Sequence, residues 1–137
     1  MVAGMHRHMR SLRRMTRDGG WIDKMLEEAT NERMHLLIWM QHTQPNLIER
    51  WFVLAAQGAY VTAYSFLYVV SPKTAHRAVG YLEESAFRAY TDYLKAVDSG
   101  AIPNKELSNT SIAKRFYRLP DGSTLRDVIL HVRADEG

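Results

Sequence analysis

The run Asn31-Glu32-Arg33-Met34-His35 sets a carboxylate and an imidazole three positions apart in a stretch with helical period. On a helix, that spacing puts an oxygen donor and a nitrogen donor on neighbouring rows of one face, as a Glu-x-x-His metal half-site requires. A plainer arrangement uses the same residues: Glu32 pairs with Arg33 or a nearby cation and His35 packs at a boundary. Glu83 follows Leu82, precedes Ala86 and shares an arc with Val79. A buried anion there needs a metal ion or an internal ion pair, whereas a solvated Glu83-Glu84 pair needs neither. Arg133-Ala134-Asp135-Glu136 adds a carboxylate after the inward positions Ile129 and Val132. Its histidine companion would stand at position 139, and Gly137 is the last residue. The chain has no cysteine, so any metal must be held by oxygen and nitrogen.

Helices must position these groups. Arg7, Arg10, Arg14 and Arg17 alternate with Met1, Met5, Met9, Leu12 and Met15, which predicts an amphipathic helix over residues 1–17, stopped by Gly19 and Gly20. From Trp21 to about Thr43, Ile22, Met25, Leu26, Ala29, Leu36, Leu37 and Met40 keep helical period, and Pro45 marks the break. Residues 51–70 carry no formal charge and are long enough to cross a bilayer. Gln57, Thr62, Ser65 and three tyrosines dilute the run, so a helix buried in a bundle or lying at a membrane interface competes with a spanning one. Pro72 opens a helix to about Ala96, with Ala75, Val79, Leu82, Ala86, Tyr90, Tyr93 and Val97 on a broad apolar face. Residues 104–123 are mixed and polar with a turn at Pro120-Asp121-Gly122, and Leu125 to Glu136 resumes a helix.

A length of 137 residues suits one domain. The 18 basic and 15 acidic residues leave a net charge of +3, too little to imply nucleic-acid binding. The arginines of the first helix are explained by a solvated, dipole-compatible surface or by anionic lipid headgroups. The N-terminal stretch is no signal peptide, because arginines interrupt any apolar core.

Four-helix di-iron proteins combine one glutamate from each of two helices with a Glu-x-x-His pair from each of the other two. The stretches LEEATNERMH at 26–35, GYLEESAFRAY at 80–90 and RADE at 133–136, in this order and at these distances, resemble the signatures of the alternative oxidase family. The likeness is to the mitochondrial ubiquinol oxidase branch and runs through nearly the whole chain. The resemblance implies an all-α fold: an incomplete ferritin-like di-iron four-helix bundle with a membrane-associated helix. Residues 1–137 would be one partial domain that lacks the upstream ligand helix and the C-terminal end.

By the same resemblance Glu32, His35, Glu83 and Glu136 are ligands of two non-haem irons, Asn31 and Asp135 orient histidines from behind, and Tyr90 is the tyrosine near the metal centre. Without it, Tyr90 reads as an ordinary helix tyrosine. Leu82, Ser85, Ala86 and Ala89 match positions at the quinol pocket. Ser85 stands where the family has glutamate, as does Thr30, and Phe116-Tyr117 stands where a tryptophan-containing aromatic pair is expected. The implied activity is oxidation of ubiquinol with four-electron reduction of dioxygen to water, without proton pumping. It would take place on one leaflet of the mitochondrial inner membrane, in a protein that is a homodimer when complete. With a glutamate before Met1 and a histidine after Glu136 both missing from the ligand set, the isolated chain is expected to be inactive. The alternative is a noncatalytic, truncated or degenerate protein that docks to a membrane or a partner.

Overall fold

The computed structural model describes residues 1–137 and contains six helices: α1 (Val2–Arg14), α2 (Trp21–Thr43), α3 (Leu47–Val70), α4 (Pro72–Asp98), α5 (Ile112–Phe116) and α6 (Leu125–Asp135). The fold is all-α, and its one extended pairing is an isolated bridge between Glu106 and Thr124. The chain divides into two compact units, residues 1–36 with 43–77 and residues 37–42 with 78–137. Helices α2 and α4 supply residues to both.

In the first unit, α1 ends three residues before the expected boundary. Met15 adopts a left-handed conformation (φ 49°), and its N–H returns to the Leu12 carbonyl. Asp18 then fastens the turn. Its carboxylate accepts from Arg7 Nε at 2.9 Å and from the Ile22 N–H at 2.7 Å, tying α1 to the first turn of α2. Gly19 and Gly20 both have positive φ, which a residue with a Cβ adopts only under strain. Gly4 is buried against Met25. Helix α3 begins at Leu47, ahead of the charge-free run, because Asn46 and Glu49 form a reciprocal capping box with bonds of 2.8 and 2.9 Å. It lies against α1 and buries Tyr64 and Tyr68. Tyr68 stacks on His6 at 5.3 Å and meets the edge of His76 at 5.5 Å. Elsewhere α3 is bare: Trp51 is 71% exposed and Phe52 76%. It is the single helix long and apolar enough to cross a membrane, judged by length and composition.

The second unit is built on α6. Leu125, Val128, Ile129 and Val132 recur at helical spacing and are essentially inaccessible. Ile38, Ala113, Val128 and Val132 form one cluster, and Val97, Leu125 and Ile129 form another, with Trp39 and Tyr90 against both. Full burial of each such aliphatic side chain contributes about 1.5–3 kcal/mol. Thr124 and Asp127 box the start of α6. Residues 104–123 hold the short helix α5, which a five-residue apolar pattern cannot announce. Gln41 anchors the segment: its Oε1 accepts the Ile112 N–H at 2.7 Å and its Nε2 donates to the Thr110 carbonyl.

Arg126 Nε donates to Asp98 Oδ1 at 2.7 Å, linking α6 to the end of α4. The Arg126 hydrogen bond holds the Asp98 carboxyl below the ordinary aspartate range, against a smaller opposing effect of desolvation. A depressed carboxyl stabilises the fold at pH above its unfolded value and loses that contribution as pH falls through the folded one. Acidification below the ordinary aspartate range is therefore expected to loosen the α4–α6 link, and Arg126→Gln to remove this part of the acid response. Chemical shifts of Asp98 and Arg126 followed through an acid titration will check it.

Candidate metal centre

On α2 the helical spacing brings the ligand atoms of Glu32 and His35 within 4.8 Å of one another. His35 is 3% exposed, whereas Glu32 reaches solvent. A sheltered imidazole beside an accessible carboxylate offers one nitrogen and one oxygen donor on a shared face, chemistry suited to iron and other borderline divalent ions. Asn31, one residue earlier, is half-buried.

The other candidate residues lie in the second unit. Tyr81 to Ser85, including Leu82 and Glu83, form an exposed stretch of α4, while Ala86 is half-buried and Ala89 exposed. Sequence pattern places Glu83 on the inward arc, and here that arc is exposed at Glu83. The reason is the position of α6: burial on α4 deepens toward Tyr93, Leu94 and Val97, where Leu125 and Ile129 pack. Tyr90 is held by a residue that sequence reasoning passed over. Trp39 Nε1–H donates to the Tyr90 hydroxyl at 2.9 Å, and the two rings stack with centroids 5.8 Å apart. Trp39 stands four residues after His35, so the i,i+4 spacing on α2 was the signal that could have found it.

At the end of α6, Glu136 is half-buried and Asp135 exposed. Asp135 accepts a hydrogen bond of 2.7 Å from the Tyr117 hydroxyl. Burial first, and then this bond, push the Tyr117 hydroxyl far above the usual tyrosine range, so the phenol keeps its proton and acts as a donor. Its ring stacks on His131 at 4.9 Å. Arg133 donates from Nε to Thr91 Oγ1 at 2.7 Å and lies over the Phe87 ring at 4.3 Å, which sets the roll of α6 beside α4. The structure thus brings together Glu32 with His35, Tyr90 with Trp39, and Asp135 with Tyr117. Leu82, Ser85 and Ala89 lie at the surface of α4, with Ala86 half-buried beside them.

The family model described as "Alternative oxidase" matches residues 1–137. A mitochondrial ubiquinol oxidase of Mangifera indica is 54% identical over 136 residues, covering 99% of this chain and 42% of the relative. Mitochondrial ubiquinol oxidase 2 of Nicotiana tabacum is also 54% identical, with 99% and 45% covered. The mitochondrial alternative oxidase of Emericella nidulans is 49% identical over 138 residues, with 99% and 39% covered. The chain spans about two fifths of the length of these curated relatives.

Proposed function

The chain belongs to the alternative oxidase family, and from that premise we propose that it serves a ubiquinol oxidase that couples quinol oxidation to reduction of dioxygen to water. The observation that carries this reading is the pair on α2, a buried His35 with the Glu32 carboxylate beside it. Its donors are the oxygen and nitrogen types that iron takes in carboxylate bundles. We assign Glu32, His35, Glu83 and Glu136 as the residues that would hold two irons, with residues 1–137 contributing to a single domain. When bound, the irons would supply the electron-accepting and oxygen-reducing chemistry.

The chain's own residues have supporting tasks. Asn31 and Asp135 fix the orientation of neighbouring groups, and the Tyr117 donor sets which oxygen of Asp135 is engaged. Trp39 fixes the ring plane of Tyr90, so that its hydroxyl is available as a positioned proton donor or acceptor. Leu82, Ser85, Ala86 and Ala89 are the proposed quinol contacts. Ser85 carries a hydroxyl where the family has a carboxylate, and it would bind a quinol oxygen without taking its proton. The bare apolar face of α3 supports attachment to one leaflet of the mitochondrial inner membrane, and the mitochondrial names of the relatives agree with that location. A homodimer is the proposed assembly.

The test is the longest natural reading frame that carries these residues, expressed in membranes and assayed for bound iron and quinol-dependent oxygen uptake. Two irons per chain with uptake supports the reading, and neither overturns it. The same exposed α3 favours a second reading, a noncatalytic membrane- or partner-binding protein. That reading requires membrane or partner association without iron or uptake.

A further inference from the structure

Helix α1 and the end of α3 border an open cavity of about 410 Å³, within the range of small-molecule sites, with Arg10, Arg13 and Arg14 exposed along it. His6, Arg7, Arg10, Arg13, Arg14 and Tyr68 line it. No acidic residue occurs in α1, and Arg10, Arg13 and Arg14 form no ion pair, while Arg7 is already engaged by Asp18. Arg13 and Arg14 lie in the last turn, where cations complement the helix dipole. That accounts for neither Arg10 in mid-helix nor the convergence of all three on one concave surface. A separate observation comes from His6: its Nε2 is buried and has no hydrogen-bond partner, while its ring is held in place by stacking on Tyr68. A polar atom in that state lacks a partner that a bound anion would supply.

We propose that this cavity is a binding site for a phosphate-bearing anion with at least two phosphate oxygen clusters. Three guanidiniums offer forked donors that match phosphate oxygens, and the cavity is much larger than one inorganic phosphate. Val69 and Pro72 form its apolar wall, and Val69 is 69% exposed, continuous with the uncovered Phe66 and Val70 of α3. Two sources share this chemistry: a lipid headgroup whose acyl chains lie along α3, and a soluble diphosphate. The lipid source rests on the membrane reading above, and the soluble source does not.

The chain is compared with Arg10→Gln/Arg14→Gln, which empties the cavity of two charges. Arg17→Gln/Arg115→Gln removes the same charge at exposed positions outside the cavity. Each variant is tested on phosphatidylcholine vesicles, on vesicles doped to equal charge with phosphatidylglycerol or with cardiolipin, and with pyrophosphate by calorimetry. The site predicts tighter binding to cardiolipin than to charge-matched phosphatidylglycerol, or saturable pyrophosphate binding. It also predicts that the cavity variant weakens whichever occurs by roughly ten- to thirtyfold while the outer variant changes it much less. Equal losses in the two variants, or no cardiolipin preference together with no pyrophosphate binding, overturn it. Failure to bind phosphatidylcholine counts against the membrane reading alone, since the pyrophosphate arm still reports on the cavity.

Discussion

His35→Gln is expected to abolish iron binding and quinol-dependent oxygen uptake in the full-length protein while leaving the helical signal unchanged. His35 is buried, so alanine would combine the loss of a ligand with a cavity, and a failed variant would be ambiguous. Glutamine keeps most of the volume and a polar end but replaces an imidazole nitrogen with a weakly coordinating amide. Removing outer partners of metal ligands already costs about 10–100-fold in affinity or activity, and removal of a ligand should cost at least as much. Metal analysis and oxygen-electrode traces of the two proteins decide the matter. Retention of iron at wild-type stoichiometry would remove His35 from the ligand set.

The helix content and the proximity of Glu32 to His35 were legible because each depends on local spacing. Glu32 and His35 are neighbours for the same reason that Ile22, Met25 and Ala29 share a stripe: the period of one helix, readable from one segment. The capping box of Asn46 and Glu49 is equally local, and it moved the start of α3 back to Leu47. What local pattern could not deliver was the depth of burial. Glu83 sits on the arc of Val79 and Ala86, yet whether that arc is covered depends on where Leu125 and Ile129 pack, some forty residues later in the chain. The partners of the candidate tyrosine and aspartate were hidden for the same reason. Trp39 reaches Tyr90 across 51 positions, and Tyr117 reaches Asp135 across 18. The resemblance supplied roles for residues whose surroundings no single segment describes.

The second large effect is expected at Ile129→Ala. Ile129 has no accessible surface and touches the cluster formed with Val97 and Leu125, against which Trp39, Tyr90 and Tyr93 also pack. Truncation removes apolar contacts and leaves a void that the rings cannot fill without losing their own stacking, as between Trp39 and Tyr90 at 5.8 Å. Such changes cost about 2–5 kcal/mol. Domains are stable by only about 5–15 kcal/mol. The second unit should therefore unfold at much lower urea concentration, with the stacking of Trp39 on Tyr90 lost in the same transition. The conservative Ile129→Val should cost about 0.5–1.5 kcal/mol. If alanine and valine behave alike, the cluster around α6 is not the close-packed core described.

Gln41 has a consequence in time. A helix of five residues cannot nucleate by itself, since fixing the first turn sacrifices more chain entropy than one hydrogen bond returns. Helix α5 receives its decisive bonds from a side chain about seventy positions earlier, so it can form only after the end of α2 has met the loop. Closing a loop of that length is slow to be rewarded. The segment around Thr110 to Tyr117 is thus expected to order last and release first, its amide protons exchanging with solvent through brief local openings while those of α6 wait for the whole unit to unfold. Because Tyr117 closes that segment, the hydrogen bond on Asp135 would be made and broken on the same clock.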